Sequence, residues 1–306
     1  MKEPAYRRGR YDKSHVKEAD MDDKNEKPAY LDKATSKELL REIEARGYFA
    51  SKLPPTVGGK TFKADVKKLS GNRYRFAVIS CTQLGSKYQQ LTHLNTFYSI
   101  CQARGINTVL HCGDIVDGGR VYHGQEYELF IHGADEQAQY VVDHYPKVKG
   151  ICTKMLLGNH DESFYKIAGV NVVKDICSKR EDLQYLGDYL AYIDIGGIKI
   201  GLMHGAGGVA YARSYKLQKI VEQLSPEAKP HMLFIGHWHV QCHVPAYRNV
   251  EVFSMGCFQA QTPFLTRLGL FPNIGGMIVE IVAENGDLKS VKTEWIPFYV
   301  PIKDDY

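Results

Sequence analysis

The sequence of 306 residues lacks long hydrophobic runs and any strong excess of one charge. Its formal net charge is +4, from 39 basic and 35 acidic residues, which permits an anionic partner without requiring one. No apolar run approaches the roughly 20 residues of a membrane helix. The first residues are charged and contain no apolar stretch of the kind found in secretory signals. These absences predict a cytoplasmic protein with no membrane partner.

The seven cysteines are an odd number and contain no Cys-x-x-Cys pair. They are scattered through segments that look like strands and helices, without the spacing of a disulfide framework. This distribution is typical of reduced thiols in an intracellular protein.

The amino-terminal quarter differs in composition from the rest. Residues 1–34 are polar and carry both signs of charge, which predicts a flexible charged arm. Residues 35–72 predict a small extension, with a capping-box helix that ends at Gly47 and a β-ribbon that turns at Gly71. A helix followed by a ribbon is winged-helix-like and would suit nucleic acid, but a simple structural extension explains it as well.

From residue 73 to 306 the pattern changes to alternating strands and helices, which predicts an α/β domain with a mainly parallel sheet. The second half is richer in strands, so two β layers covered by helices are expected. The predicted strands are 60–69, 73–80, 107–112, 151–157, 189–195, 197–203, 231–235, 250–254, 276–283 and 288–295. The predicted helices are 89–104, 124–145, 163–179 and 211–224.

Unusual polar groups follow five of these strands. Because ligand sites in such sheets cluster at the carboxyl ends of strands, these groups are expected to converge. Each is weak evidence alone, but the ordered set is specific. The five segments are Cys81-Thr82-Gln83, Gly113-Asp114-Ile115-Val116-Asp117, Gly158-Asn159-His160-Asp161, His204-Gly205 and Gly236-His237-Trp238-His239.

Residues 73–296 therefore resemble the calcineurin-like metallophosphoesterases, whose motifs Asp-x-His, Gly-Asp-x-x-Asp, Gly-Asn-His-Asp/Glu, His and Gly-His-x-His occur in this order. The forms of the second and third motifs are similar to the nuclease branch (the Mre11/SbcD type). The resemblance implies a four-layer α/β/β/α sandwich. It also implies one or two divalent metal ions, with Mn²⁺ expected first and Zn²⁺ or Fe²⁺ as alternatives. Paired metals neutralise a phosphodiester and lower the pKa of a bound water.

The resemblance also implies roles for individual residues. Asp114 would bridge two metals, His239 would belong to the first metal site, and His160 would assist the leaving oxygen. Asp117 or Asp161 would orient neighbouring side chains. The second metal site would be completed by Asn159, His204 and His237.

The first motif departs from the family, because Cys81 and Gln83 stand where it has Asp and His. Three interpretations remain open. The Cys81 thiolate and Gln83 amide oxygen still hold a metal, and thiolate favours Zn²⁺ or Fe²⁺. Alternatively, the first site is weak and the protein works with one metal. In the third, the protein is a catalytically impaired relative that binds nucleic acid or a protein partner.

The predicted function is a metal-dependent phosphodiesterase, with nucleic acid as the expected substrate and a metal-activated hydroxide as nucleophile. A phosphomonoesterase or small-nucleotide phosphodiesterase is an alternative, and a protein partner or homodimer is compatible with the sequence. Tyr211 and Arg213 are candidate substrate contacts. The loop 258–276, which contains Phe264 and Arg267, is a candidate wall of a substrate groove.

Overall fold

The computed structural model describes residues 61–306, which belong to one compact unit spanning Thr56–Tyr306. The arm predicted for residues 1–34 and the helix predicted for 35–47 lie outside the described residues. The described strands are β1 (Thr61–Lys63), β2 (Lys68–Leu69), β3 (Arg73–Ile79), β4 (Thr108–His111), β5 (Cys152–Leu157), β6 (Leu183–Asp188), β7 (Leu190–Ile195), β8 (Ile198–His204), β9 (Met232–Gly236), β10 (Cys242–Tyr247), β11 (Val250–Ser254), β12 (Gly275–Glu284) and β13 (Asp287–Pro297).

Six α-helices accompany these strands in the described part of the chain. They are α1 (Leu91–Ala103), α2 (Ala134–His144), α3 (Asn159–Ala168), α4 (Val172–Ser178), α5 (Arg213–Gln223) and α6 (Pro263–Arg267). None of the helices within residues 61–306 combines the length and apolar character that a membrane span requires.

The larger sheet has seven strands in the order β13-β12-β3-β4-β5-β6, with β2 paired beside β3. Strands β3 to β6 run parallel, whereas β12 is antiparallel to both β3 and β13. All four residues of β4 are buried. Parallel strands covered on both faces need such continuous apolar runs, because neither face meets water.

The smaller sheet has six strands in the order β1-β7-β8-β9-β11-β10. Its centre is the parallel set β8, β9 and β11, and the antiparallel strands β7 and β10 flank it. The ribbon predicted near residues 60–80 is therefore divided between the sheets. Strand β2 forms a hairpin with β3 around Gly71, whereas β1 pairs in parallel with β7.

Three apolar clusters define four layers. Alternate residues of β3, such as Phe76 and Val78, face a core between the two sheets, while Ala77 and Ile79 face helices α1 to α4. A smaller cluster packs Leu217 of α5 against the outer face of the smaller sheet. This alternation follows from the two-residue period of a strand. The result is the predicted helix–sheet–sheet–helix sandwich.

Two predicted helices are shorter than expected. The segment predicted as helix 124–145 is helical in its α2 part. Ahead of α2, the backbone bonds across the fold, with Phe130 N–H donating to the Gly85 carbonyl at 3.0 Å. The helix predicted for 163–179 is two helices, α3 and α4. Gly169 ends α3 in a left-handed conformation, and the Asn171 side chain caps α4.

Candidate metal centre

The five polar segments named above lie together. Three of them follow strands β3, β4 and β5 of the larger sheet. The other two lie at the ends of β8 and β9 of the smaller sheet. The backbone turns sharply there, because Cys81, Gln83, Asp114, His237 and His239 all have positive φ. Such conformations are uncommon for residues other than glycine and often mark functional sites.

Asp114 is at the centre of the group. Its Oδ1 accepts a hydrogen bond from the His160 N–H at 2.9 Å, and its Oδ2 lies 3.2 Å from His204 Nε2. Burial alone would raise the pKa of Asp114, but His204 and His160 together lower it well below its usual range. Asp114 is therefore a buried carboxylate anion that both neighbouring groups of ligands can share.

One group of candidate ligands consists of Asp114, Asn159, His204 and His237. The ligand atoms of its carboxylate and two imidazoles lie within 4.8 Å of one another. Asn159 Oδ1 lies 3.0 Å from His204 Nε2 and 2.8 Å from His237 Nδ1. His204 Nδ1 faces the Cys112 carbonyl at 2.7 Å, which directs Nε2 toward the group. Metal-binding histidines are commonly oriented in this way.

The other group consists of Cys81, Asp114 and His239, whose ligand atoms also lie within 4.8 Å of one another. Two buried atoms here have no hydrogen-bond partner, namely Gln83 Oε1 and His239 Nδ1. Unpaired buried polar atoms are costly and call for an explanation. Two unpaired buried polar atoms near a thiol and a carboxylate fit a divalent cation, which would bind the His239 tautomer whose ligating nitrogen carries no proton.

Burial and the nearby Asp114 raise the pKa of the Cys81 thiol well above its ordinary value. The thiol would therefore stay protonated without a cation, whereas coordination of a cation deprotonates a thiol outright. Cys81 Sγ also accepts a hydrogen bond from the His237 N–H at 3.3 Å. This hydrogen bond connects the first polar segment, which contains Cys81, with the last one, which contains His237.

His160 lies at the edge of both groups. Its Nδ1 is 2.7 Å from the Asp117 carbonyl oxygen and 3.3 Å from Asp117 Oδ1, so Nε2 is the ring nitrogen that can face a ligand. Burial would lower the pKa of His160, but Asp114 and Asp117 outweigh it and raise the pKa to about 9. At neutral pH this imidazole is a cation that can donate a proton or bind an anion.

Asp161 is fully buried and faces backbone amides. It accepts hydrogen bonds from the N–H groups of Gly158, Asp114, Ile115 and Val116 at 2.8 to 3.0 Å. It therefore fixes the loops that carry Asp114 and Asn159. Asp117, in contrast, contacts His160 directly.

A cavity of about 280 Å³ opens beside these groups and is lined in part by Asn159, His160, His237 and His239. The sequence predicted Phe264 as a residue of the substrate groove. It did not predict Tyr122 or Trp238, which also line the cavity. The signal for Trp238 was its position between two candidate ligands.

The structure does not bring the two candidate substrate contacts into this cavity. Tyr211 is fully exposed. Arg213 lines a small neighbouring cleft, together with Lys216 and Trp238. Only Trp238 and Val209 line both spaces among the described residues.

The family model described as Calcineurin-like phosphoesterase matches residues 74–256. The chain is 25% identical over 210 residues to the DNA polymerase II small subunit of Methanothermobacter thermautotrophicus, which covers 56% of this chain and 42% of that protein. It is 28% identical over 211 residues to the subunit of the same name from Archaeoglobus fulgidus, covering 58% and 42% respectively. The chain thus spans about two fifths of the length of these relatives.

Two solved structures are similar at lower identity. Vps29 from Entamoeba histolytica, complexed with Zn²⁺, has a TM-score of 0.37 and 18% identity, covering 73% of this chain and 98% of that one. A predicted phosphoesterase from Streptococcus pneumoniae TIGR4 has a TM-score of 0.39 and 15% identity, covering 74% and 90%.

Proposed function

The chain belongs to the calcineurin-like phosphoesterase family, and from that premise we propose that it is a metal-dependent phosphodiesterase that cleaves DNA. The observation that carries this proposal is the convergence of Asp114, Asn159, His204 and His237 on one point, with the cationic His160 beside them. Four ligands and a proton donor in one place are what phosphodiester hydrolysis requires.

The substrate class is supported by the relatives. The matched relatives are named DNA polymerase II small subunits, and this supports DNA as the proposed substrate. The Gly-Asp-x-x-Asp form at Gly113–Asp117 and the Gly-Asn-His-Asp form at 158–161 support the nuclease branch of the family.

In the proposed mechanism each side chain has a defined task. Asp114 supplies the negative charge that both ligand groups share, and Asn159, His204 and His237 complete the second group. Bound divalent ions would neutralise the phosphodiester and activate a water molecule. His160, held through Nδ1 by Asp117, would donate its Nε2 proton to the departing oxygen. Asp161 would keep the two loops in register.

The direct test is hydrolysis of single-stranded and double-stranded DNA by protein loaded separately with Mn²⁺, Zn²⁺ or Fe²⁺. His160→Ala should lower the rate by about 100-fold or more, in the range typical of a lost general acid. Asn159→Ala and His237→Ala should lose metal as well as activity. Tyr165→Ala, on the exposed surface of α3, is the matched control and should retain both. Unchanged metal content and hydrolysis in the Asn159 and His237 variants would refute the proposal.

A second candidate function is favoured by Cys81 and Gln83. If the first ligand group binds metal weakly, the protein is a catalytically impaired subunit that binds DNA or a polymerase partner, as the name of its relatives suggests. Folded, metal-loaded protein that cleaves neither DNA form but binds DNA or a polymerase subunit would establish this alternative.

A further inference from the structure

The space beside the ligand groups, here called the Phe264 cavity, is built from segments far apart in the chain. One side is Gly207–Val209, which follows β8, and the other is the segment 262–270, which contains α6. His160 and His237 also line this cavity. A phosphate held at the ligand groups would therefore place one of its two ester substituents in the Phe264 cavity.

Away from the ligand groups, where the cationic His160 lies, the walls of the Phe264 cavity are mostly apolar and aromatic. The polar residues that line it are Asn159, His160, His237, His239, Gln259 and Thr262. Tyr122 and Phe264 stack with ring centroids 4.2 Å apart and an interplanar angle of 19°, and Trp238 and Leu265 also contribute. Among the described residues that line it, none is Lys, Arg, Asp or Glu. A sugar–phosphate backbone needs cationic partners. The cavity is therefore suited to an uncharged part of the substrate.

The size of the Phe264 cavity limits what can enter. At about 280 Å³ it lies just below the usual size of ligand pockets, which run from about 300 to 1,000 Å³. It has room for one planar group, whereas a base-paired duplex must stay outside. Aromatic walls favour flat π-systems, and base–aromatic stacking contributes about 1–3 kcal/mol per base.

We propose that the Phe264 cavity binds a single unstacked nucleobase, that of the nucleotide whose phosphate lies at the ligand groups. This inference rests on the proposed phosphodiesterase function and adds a recognition element to it. The base is held by the aromatic and aliphatic walls, while His160 and the ligand groups hold the phosphate. The enzyme then recognises a nucleotide unit, and a phosphodiester without a base is a poor substrate.

The test compares two esters with the same leaving group, the p-nitrophenyl ester of thymidine 5′-phosphate and methyl p-nitrophenyl phosphate. Two variants alter the cavity in opposite ways. Phe264→Ala removes a wall, and Gly208→Phe adds bulk at a position where a Cβ meets no atom within 4 Å. Phe271→Ala is the control, because Phe271 is 72% exposed and lies outside the cavity lining.

We expect Mn²⁺-loaded protein to prefer the nucleoside ester. Both cavity variants should lower kcat/KM for that ester by about tenfold or more, without affecting the methyl ester, and the control should change neither. Equal losses on both esters, or no loss on either, would overturn the inference while leaving the phosphodiesterase proposal intact.

If the wild-type protein hydrolyses neither ester, the proposed phosphodiesterase function fails. The proposed base site is then tested by ligand binding alone. Calorimetric titration of the Mn²⁺-loaded protein would then compare thymidine 5′-phosphate with methyl phosphate. Tighter binding of the nucleotide that Phe264→Ala removes supports the cavity as a base site. Equal affinity for the two ligands refutes it.

Discussion

At the residue scale, the geometry around Asp114 depends on two glycines whose positions have no space for a side chain. A Cβ on Gly158 would lie 2.2 Å from Asp114 Oδ1, and one on Gly113 would lie 2.6 Å from His204 Nδ1. Real Cβ atoms do not approach so closely, so these positions need glycine. The glycines noted beside the candidate ligands in the sequence thus have a steric reason that only the structure reveals.

Cys81 leads to a prediction about metal identity. A thiolate, an imidazole and a carboxylate favour softer divalent ions over Mn²⁺ at the first ligand group. We expect Co²⁺ added to the protein to give a near-ultraviolet thiolate-to-metal charge-transfer band. Cys81→Ser should abolish the band, because the hydroxyl cannot replace the thiolate.

The control for this spectroscopic experiment is Cys152→Ser, a half-buried thiol at the start of β5 that is not in either ligand group. It should retain the full band. A band that survives Cys81→Ser would show that the thiol does not bind metal, and the single-metal interpretation would then apply.

His111, in the sheet below the ligand groups, leads to a prediction about acid stability. Burial lowers its pKa from 6.5 to about 3. The unfolded chain therefore takes up a proton at this position below about pH 6.5, whereas the folded protein does not until about pH 3. The stability associated with neutral His111 is present above pH 6.5 and is lost as the pH falls from 6.5 toward 3.

His111→Gln should remove this contribution to acid sensitivity. Between about pH 7 and pH 4.5 we expect the variant to lose less unfolding free energy than the wild type, by up to roughly 3 kcal/mol. Urea unfolding at the two pH values measures the difference. His132→Gln, at an exposed position, is the control and should follow the wild type. Identical losses in all three proteins would contradict the prediction.

At the scale of elements, the sequence predicts most strands close to their observed bounds and misses β6 and β10. The observed bounds lie close to the predicted ones for β3, β4, β5, β7, β8, β9, β11, β12 and the exposed edge strand β13. Strand β10 was missed because it is an edge strand whose residues are exposed or half-buried. Strand β6 was missed because only Leu183 and Leu186 of it are buried.

The inner core gives a prediction for one strand. Leu110 of β4 is fully buried between the two sheets. Leu110→Ala should lower the unfolding free energy by about 2–5 kcal/mol, through lost burial and the cavity left behind. Leu268→Ala, at a site 52% exposed, is the same substitution without burial and should cost less than about 0.5 kcal/mol. Chemical denaturation measures both, and equal costs would show that the two-sheet core does not dominate stability.

At the scale of the whole molecule, the ligand groups join the two sheets. Asp114 and Asn159 follow strands of the larger sheet, whereas His204 and His237 end or follow strands of the smaller one. A metal bound here stabilises the folded state only. At a free concentration of 100 times its Kd it should add about 2.7 kcal/mol.

A thermal melt tests this linkage. Mn²⁺ should raise Tm and a chelator should reverse the rise. His237→Ala should make Tm insensitive to both, whereas Tyr165→Ala should respond like the wild type. A Tm that does not change with metal in the wild-type protein would argue against metal binding by the folded chain.

The candidate ligands could be named from the sequence because the polar segments at the ends of five strands resemble the family's motifs and occur in the same order. The unpaired Gln83 Oε1, the four amides around Asp161 and the Tyr122–Phe264 stack could not. They depend on contacts between segments that are separated by dozens of residues. No local sequence pattern predicts such contacts. The contacts around the candidate site are therefore seen only in the structure, whereas its candidate ligands can be named from the sequence.

The placement of ligands on both sheets also affects how the molecule assembles. A chain whose sheets have formed separately holds Asp114 and Asn159 apart from His204 and His237, so it lacks a complete ligand group. Tight metal uptake therefore becomes available only after the sheets dock, late in refolding. The ion would stabilise the packed arrangement of the two sheets, and the time course of metal binding during refolding would report when the sheets pack together.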